Sequence, residues 1–282
     1  MIARMISDLL RVPPGPVDLT SYDTNAHPGF EGDKDDGKTA LEDLGDEIAD
    51  LQERLFAQGT TGRRASVLLV LQGMDTSGKG GVVRKAAGLV DPQGLKITSF
   101  KAPTTEELGH DFLWRISREL PGAGKIGIFD RSHYEDVLVA RVRGLVPLER
   151  IERRYDAINA FEERLVHEGT VVVKCMLHIS AATQEERLLE RLDNPDKHWK
   201  FNPGDVDERA LWPTYQRAYE IALERCNTEA APWHVVPSDR KWYRNWAVAM
   251  ILLETLRAME LQWPVADFDV DAQRQRLQEL EL

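Results

Sequence analysis

The stretch that most limits the fold of this chain is Val67 to Gly81, VLLVLQGMDTSGKGG. The apolar, mostly branched run from Val67 to Leu71 is too short for a core helix, so it reads as a strand buried on both faces that stops at Gly73. Gly73-Met-Asp-Thr-Ser-Gly-Lys79 then has the spacing of a phosphate-binding loop that opens a helix. Glycines let backbone N–H groups turn inward around phosphate oxygens, the helix N-terminus adds its positive dipole end, and Lys79 supplies a point charge. Gly73, Ser77, Gly78, Gly80 and Gly81 are the candidate phosphate contacts of this loop.

The loop departs from the usual pattern at its last position. A P-loop normally ends in Ser or Thr, whose hydroxyl holds Mg²⁺, but here that position is Gly80. Asp75, inside the loop, is the obvious replacement oxygen. A carboxylate beside bound phosphate is repelled unless a divalent cation lies between them, which makes Asp75 a candidate metal ligand rather than a phosphate contact.

Further along, apolar runs that read as strands recur at Leu95 to Phe100, Lys125 to Asp130, Thr170 to His178 and Trp233 to Val236. Between them lie helical spacings over Thr39 to Gln58, Gly80 to Val90, Thr105 to Leu120, Ser132 to Arg143, Leu148 to His167, Gln184 to Leu192, Val206 to Cys226 and Lys241 to Met259. This alternation predicts an α/β fold, a parallel sheet covered on both faces, with ligands at the carboxyl ends of the strands. Residues 1–38, rich in Pro, Gly and Asp, read as an N-terminal arm that wraps a neighbour or moves. Residues 39–263 read as one phosphotransferase domain, and the polar stretch 264–282 as a C-terminal tail.

Asp130 ends an apolar strand, where phosphoryl-transfer sites carry a second acidic residue that orients the metal or its waters. Arg131 follows at once and can fork onto phosphate oxygens. In Ser132-His-Tyr-Glu-Asp136, Tyr134 and Glu135 are expected on the same rim, lining the acceptor pocket, with ordinary helix packing the alternative for Tyr134, while His133 is read as a surface or internally satisfied residue. A cationic, proline-bracketed segment with Arg187, Arg191, Lys197, Lys200, Trp199 and Phe201 suits a lid, about 184–215, that closes on phosphates and excludes water.

Charge sharpens this reading. With 36 basic against 47 acidic residues the chain carries −11, which argues against duplex nucleic acid or an anionic membrane as a partner and leaves anion binding to local patches. Two cysteines, Cys175 and Cys226, in a strand and a helix pattern, read as reduced buried thiols; no apolar run approaches the ~20 residues that span a bilayer. A cytoplasmic protein is expected.

Three strings together resemble the family-2 polyphosphate kinases: Gly73-Met-Asp-Thr-Ser-Gly-Lys-Gly-Gly81, Phe129-Asp-Arg-Ser132, and Lys197-His-Trp-Lys-Phe201 with Asp207-Glu-Arg209, Trp212 and Tyr215. The likeness extends from about Leu41 to Leu256. It implies a three-layer α/β/α P-loop kinase fold, thymidylate-kinase-like, with a helical and loop lid. It also implies Mg²⁺ dependence, with Mn²⁺ as a substitute, and reversible phosphoryl transfer between inorganic polyphosphate and a nucleotide. By position, Asp75 and Asp130 match the acidic pair that holds the metal, Lys79 and Arg131 the phosphate-holding cations, and Arg191, Lys197 and Lys200 the lid cations. His110-Asp-Phe-Leu-Trp-Arg115 and Arg131 to Leu138 are similar to the branch that accepts nucleoside monophosphates as well as diphosphates, although that branch often has Asn where this chain has Asp130. The expected partners are polyphosphate and ADP or ATP, then AMP and guanine nucleotides, with assembly as a homo-oligomer. The rival readings are an ATP-dependent nucleoside or nucleotide kinase and a non-catalytic polyphosphate- or nucleotide-binding module.

Overall fold

The computed structural model describes residues 4–280, with the backbone alone at 86 and 87. Residues 1–3 of the expected arm and 281–282 of the expected tail lie outside them. In chain order, α1 (Ile6–Leu10) leads to α2 (Lys34–Asp43), α3 (Gly45–Thr60), β1 (Ser66–Gln72) and α4 (Lys79–Ala87). Next come β2 (Leu95–Ser99), α5 (Thr105–Leu108), α6 (Trp114–Arg118), β3 (Ile126–Asp130), α7 (Val139–Val142) and α8 (Leu148–His167). β4 (Thr170–His178), α9 (Ala181–Asp193), α10 (Gly204–Ala210), α11 (Trp212–Arg225), β5 (Trp233–Pro237), α12 (Lys241–Ala258) and α13 (Val270–Gln278) complete the chain.

The strands form one parallel sheet in the order β2-β3-β1-β4-β5. β1 sits at its centre, buried at every residue, and its side chains alternate between two cores. Val67, Leu69 and Leu71 pack with Ile48 and Leu55 of α3, Val82 of α4 and the apolar face of α12. Leu68 and Val70 face the other way, onto Ile151, Ile158 and Leu165 of α8 and Tyr219 and Leu223 of α11. Three layers result, helices on both faces of the sheet, because strands apolar on both faces cannot leave either face to water.

Several expected helices are interrupted. The spacing predicts one helix from Thr39, but α2 starts at Lys34, where Asp33 and Asp36 form a capping box, and the chain breaks at Leu44 before α3. The segment 105–120 splits into α5 and α6 around Gly109, with the Asp111 carboxylate accepting from Leu113 N–H at 3.0 Å. Ser132 caps a 3-10 turn, His133–Asp136, in place of a continuous helix to Arg143. The arm lies on this chain's own body. Ile6 and Ser7 N–H donate to Glu254 at 2.7 and 2.8 Å, and Val12 N–H donates to Trp233 O at 2.8 Å. No helix among the described residues is long and apolar enough to cross a membrane.

Register fixes where the chemistry can occur. Leu71 pairs with Asp130 across β1 and β3, so the glycine loop leaving β1 and the acidic end of β3 emerge side by side on one rim.

Candidate active site

Gly73 has φ +150°, and a Cβ there would lie 2.6 Å from Leu177 O, so only glycine lets β1 turn into the loop beside β4. Its N–H donates to the Tyr219 hydroxyl at 3.2 Å, which ties the loop to α11. Lys79, at the start of α4, curls over the loop and donates to Gly73 O at 2.7 Å and Met74 O at 3.3 Å. Burial and then the charge of Arg131 push Lys79 below its usual range, while Asp75, Asp130 and Glu135 pull the other way. The amides of Gly78, Lys79 and Gly80 open α4 with no acceptor among the described residues, as a phosphate cradle requires. Gly80 is exposed and Gly81 half-buried on the first turn. The Ser77 hydroxyl, buried beside Gly73, has no partner among the described residues.

Arg131 is held in the left-handed region, φ +66°, and its N–H donates to Leu71 O at 3.1 Å. That backbone turn aims its guanidinium across the rim, where it donates to Asp75 Oδ1 at 2.9 Å and to Glu135 Oε2 at 3.1 Å. Burial works against this charge, but Glu135 and Asp75 outweigh it and hold the guanidinium above its usual range. Glu135 is fixed further by Gln72: with the amide oriented to suit both neighbours, Gln72 donates to Glu135 Oε1 at 3.0 Å and accepts from Ser132 N–H at 3.1 Å. The Asp130 carboxylate, half-buried at the end of β3, accepts from no group among the described residues.

A cleft of about 430 Å³ lies beside these groups, toward the segment expected to form a lid, and Asp130, Lys79, Gly78 and Gly80 are not among its lining residues. Asp75, Arg131 and Glu135 line it from the body, Asp205 and Glu208 from the lid helix α10, with Arg143, Tyr215 and Tyr219 closing its side. Carboxylates outnumber arginines here. Burial, and next the charge of Asp75, raises the Asp205 pKa. Among the described residues no cluster of three or more His, Cys, Asp or Glu is built as a protein cage for a metal. Asp75 and Asp130 instead offer hard oxygen donors of the kind a divalent cation takes when phosphate and water complete its shell. The site therefore fits such a cation.

Two sequence expectations are corrected. Tyr134 does not line the cleft: it is 0 % exposed, and its hydroxyl donates to Glu162 at 2.8 Å and accepts from Lys174 at 2.8 Å. The cause is Ser132, whose cap turns His133 and Tyr134 into the core and leaves Glu135 on the rim. His133, read as a surface or internally satisfied residue, is a core residue with Nε2 on Glu162 at 3.1 Å and its buried Nδ1 without a partner among the described residues. Arg187 does not face bound phosphate either; its guanidinium lies beneath the loop, on Thr76 O at 2.8 Å and Ser238 O at 2.8 Å. On the lid, Arg191 binds Lys200 O at 3.1 Å and Asp205 at 3.3 Å, Lys197 pairs with Glu190, and Lys200 lies over the Trp199 ring at 4.9 Å. In this arrangement these three cations stand outside the cleft.

Residues given no role by sequence reasoning are Arg143, Asp205, Glu208, Tyr219 and Arg244. Tyr215 and Tyr219, four apart on one helical face, carried a readable signal, as did Arg244, a single charge inside the apolar run Trp242 to Leu253.

The Polyphosphate kinase 2 family model matches residues 31–264. The chain belongs to that family. As a family-2 polyphosphate kinase it is an enzyme of phosphoryl transfer between polyphosphate and a nucleotide. It is 46% identical over 252 residues to an AMP/ADP-polyphosphate phosphotransferase of Meiothermus ruber, covering 89% of this chain and 93% of that one. It is 38% identical over 260 residues to an ADP-polyphosphate phosphotransferase of Rhodopseudomonas palustris, covering 88% of each. The fold superposes on the crystal structure of Polyphosphate Kinase 2 from Arthrobacter aurescens TC1 with TM-score 0.96 and 50% sequence identity, over 99% of both chains.

Proposed function

We propose that this enzyme passes the terminal phosphoryl group of inorganic polyphosphate to ADP and also to AMP, and guanine nucleotides in the same way, with Mg²⁺ as the cation and Mn²⁺ as its substitute. The observation that carries the proposal is the Asp75–Arg131–Glu135 chain across the P-loop mouth. The Arg131 guanidinium stands between a carboxylate of the P-loop and one that follows β3, which supports reading it as the group that spans donor and acceptor.

In this reading the loop amides and Lys79 hold the donor phosphates, and Asp75 and Asp130 hold the cation. When bound, the cation neutralises charge on both reactants and polarises the phosphoryl oxygens. Arg131 bridges to the transferring group, and no covalent enzyme intermediate is needed, since positioning and charge stabilisation can carry the transfer. Glu135 faces the acceptor and acts through the cation or through water, since a carboxylate does not bind phosphate directly. The lid, with Arg191, Lys197 and Lys200, closes over the polyanion, and its several cations suit a long chain better than a single triphosphate. The relatives named for AMP and ADP support both acceptors. We take 39–263 as the working domain, in a cytoplasmic homo-oligomer.

The test is to incubate pure protein, Mg²⁺ and polyphosphate with AMP, ADP, GMP and GDP in turn and resolve the products by chromatography. New nucleotide from AMP and from ADP is expected; none from AMP with ready conversion of ADP would confine the enzyme to diphosphates.

A further inference from the structure

Two arginines from different helices meet beneath the P-loop. Arg187, on α9, donates from Nη1 to Thr76 O at 2.8 Å and Ser77 O at 3.4 Å, and from Nη2 to Ser238 O at 2.8 Å and Asp239 O at 2.9 Å. Arg244, on α12, donates from Nη1 to Ser77 O at 2.9 Å and from Nη2 to Asn245 Oδ1 at 2.9 Å. They are 7 % and 4 % exposed. Every acceptor is a neutral carbonyl. Among the described residues neither guanidinium makes a salt bridge, and the carboxylate of Asp239 is engaged by Ser180 N–H at 2.9 Å and the Thr24 hydroxyl at 2.7 Å. Burial, and then the charge of Arg187, lowers Arg244 to about 9.

Asp239, Glu186 and Glu190 offset part of the burial of Arg187, but no carboxylate does so for Arg244; burying that charge beside a like one is costly, and a clamp on carbonyls alone would be served as well by neutral donors. What distinguishes this place is what lies across the loop. The Ser77 carbonyl receives both guanidiniums, and in a trans peptide the N–H points opposite the C=O, so the Gly78 N–H is turned to the loop's other face. Gly78 is at φ +100°, and a Cβ on it would fall 1.8 Å from Arg244 Nη1, so the glycine also admits the charge to the loop. The amides of Gly78, Lys79 and Gly80 have no acceptor among the described residues, and the Lys79 ammonium rests on Gly73 O and Met74 O.

We propose that Arg187 and Arg244 are positioning residues for phosphate: a buried pair of charges, neither of them in a salt bridge, that orients the Ser77–Gly78 peptide, with Arg244 compensated by the anion held on the far side of the loop. This rests on the reading that the loop holds polyphosphate. Binding then removes an uncompensated charge as well as making contacts, and part of the affinity is stored in the empty enzyme.

The experiment separates charge from hydrogen bonding at Arg244. Wild type, Arg244→Lys and Arg244→Gln are titrated with inorganic triphosphate by calorimetry, and kcat and KM for polyphosphate are measured for each. Gln retains a donor for Ser77 O without charge; Lys retains the charge. The expected result is a Gln variant about tenfold weaker for triphosphate, in its Kd and in its polyphosphate KM, with kcat within about twofold of the Lys variant and affinity largely restored by Lys. Equal affinity of the Gln and Lys variants, or a fall in kcat alone, would overturn the inference while leaving the loop as the phosphate site. A wild type that binds no triphosphate would overturn both.

Discussion

The Arg131 guanidinium donates to Asp75 Oδ1 at 2.9 Å, so the cation and the carboxylate that phosphoryl transfer needs in separate roles are bonded to each other across the P-loop mouth. Under the proposed assignment, a divalent cation that takes the Asp75 carboxylate frees Arg131 to turn to phosphate and so links metal and phosphate binding through one side chain.

Asp75→Asn is expected to lower kcat by about 10²-fold, the scale of losing one preorganised charge contact, with the fold intact by circular dichroism. Raised Mg²⁺ is expected to recover part of the loss. An unchanged rate at all Mg²⁺ concentrations would reduce Asp75 to a loop residue.

Glu135→Ala removes one of the two carboxylates on Arg131 and the acid proposed to face the acceptor. Formation of ADP from AMP is expected to fall more than formation of ATP from ADP, because the monophosphate leaves a gap where the outer phosphate of a diphosphate would lie. Separate kcat/KM values for the two acceptors decide it, and equal losses would place Glu135 at the transferring group instead.

Replacing both Lys197 and Lys200 with Ala is expected to raise the KM for polyphosphate more than that for nucleotide and to make the former less sensitive to salt. Both lysines sit on the outer lid, where attraction is screened over a Debye length of ~8–10 Å. The check is KM for each substrate over a salt series.

Tyr134→Phe tests the corrected placement. It deprives the buried Glu162–Lys174 pair of a shared hydroxyl, at a cost of about 1–2 kcal/mol and a Tm lower by about 2–6 °C, with the nucleotide KM unchanged. A raised nucleotide KM without loss of stability would return Tyr134 to the acceptor pocket.

Acid is expected to loosen the arm. His178 Nε2 donates to Leu19 O at 3.1 Å, and burial pushes its pKa below the usual 6.5 despite that bond and the charge of Asp239. The unfolded chain therefore takes up this proton first: the stability contribution is whole above about pH 6.5 and declines as pH falls toward the lower folded value. Thermal melts from pH 8 to 5 should show the decline, and His178→Gln, which keeps a donor, should flatten it.

The strands, the P-loop and the placing of Asp75 and Asp130 on one rim were legible in the sequence, because each depends on contiguous residues. Five branched residues make β1, glycine spacing makes the loop, and a parallel sheet brings the ends of β1 and β3 together without further instruction. Only the tertiary structure decided which charged and aromatic side chains turn toward that rim. Tyr134 and Glu135 are neighbours in sequence, yet one cap hydrogen bond from Ser132 sends the first into the core and leaves the second on the cleft. Arg187 and Arg244 reach the loop from 111 and 167 residues away, and no local periodicity records a partner at that distance. Periodicity reports which face of an element is apolar. The direction of a buried charge is set by carbonyls and amides on other elements, whose positions exist only once the chain has packed.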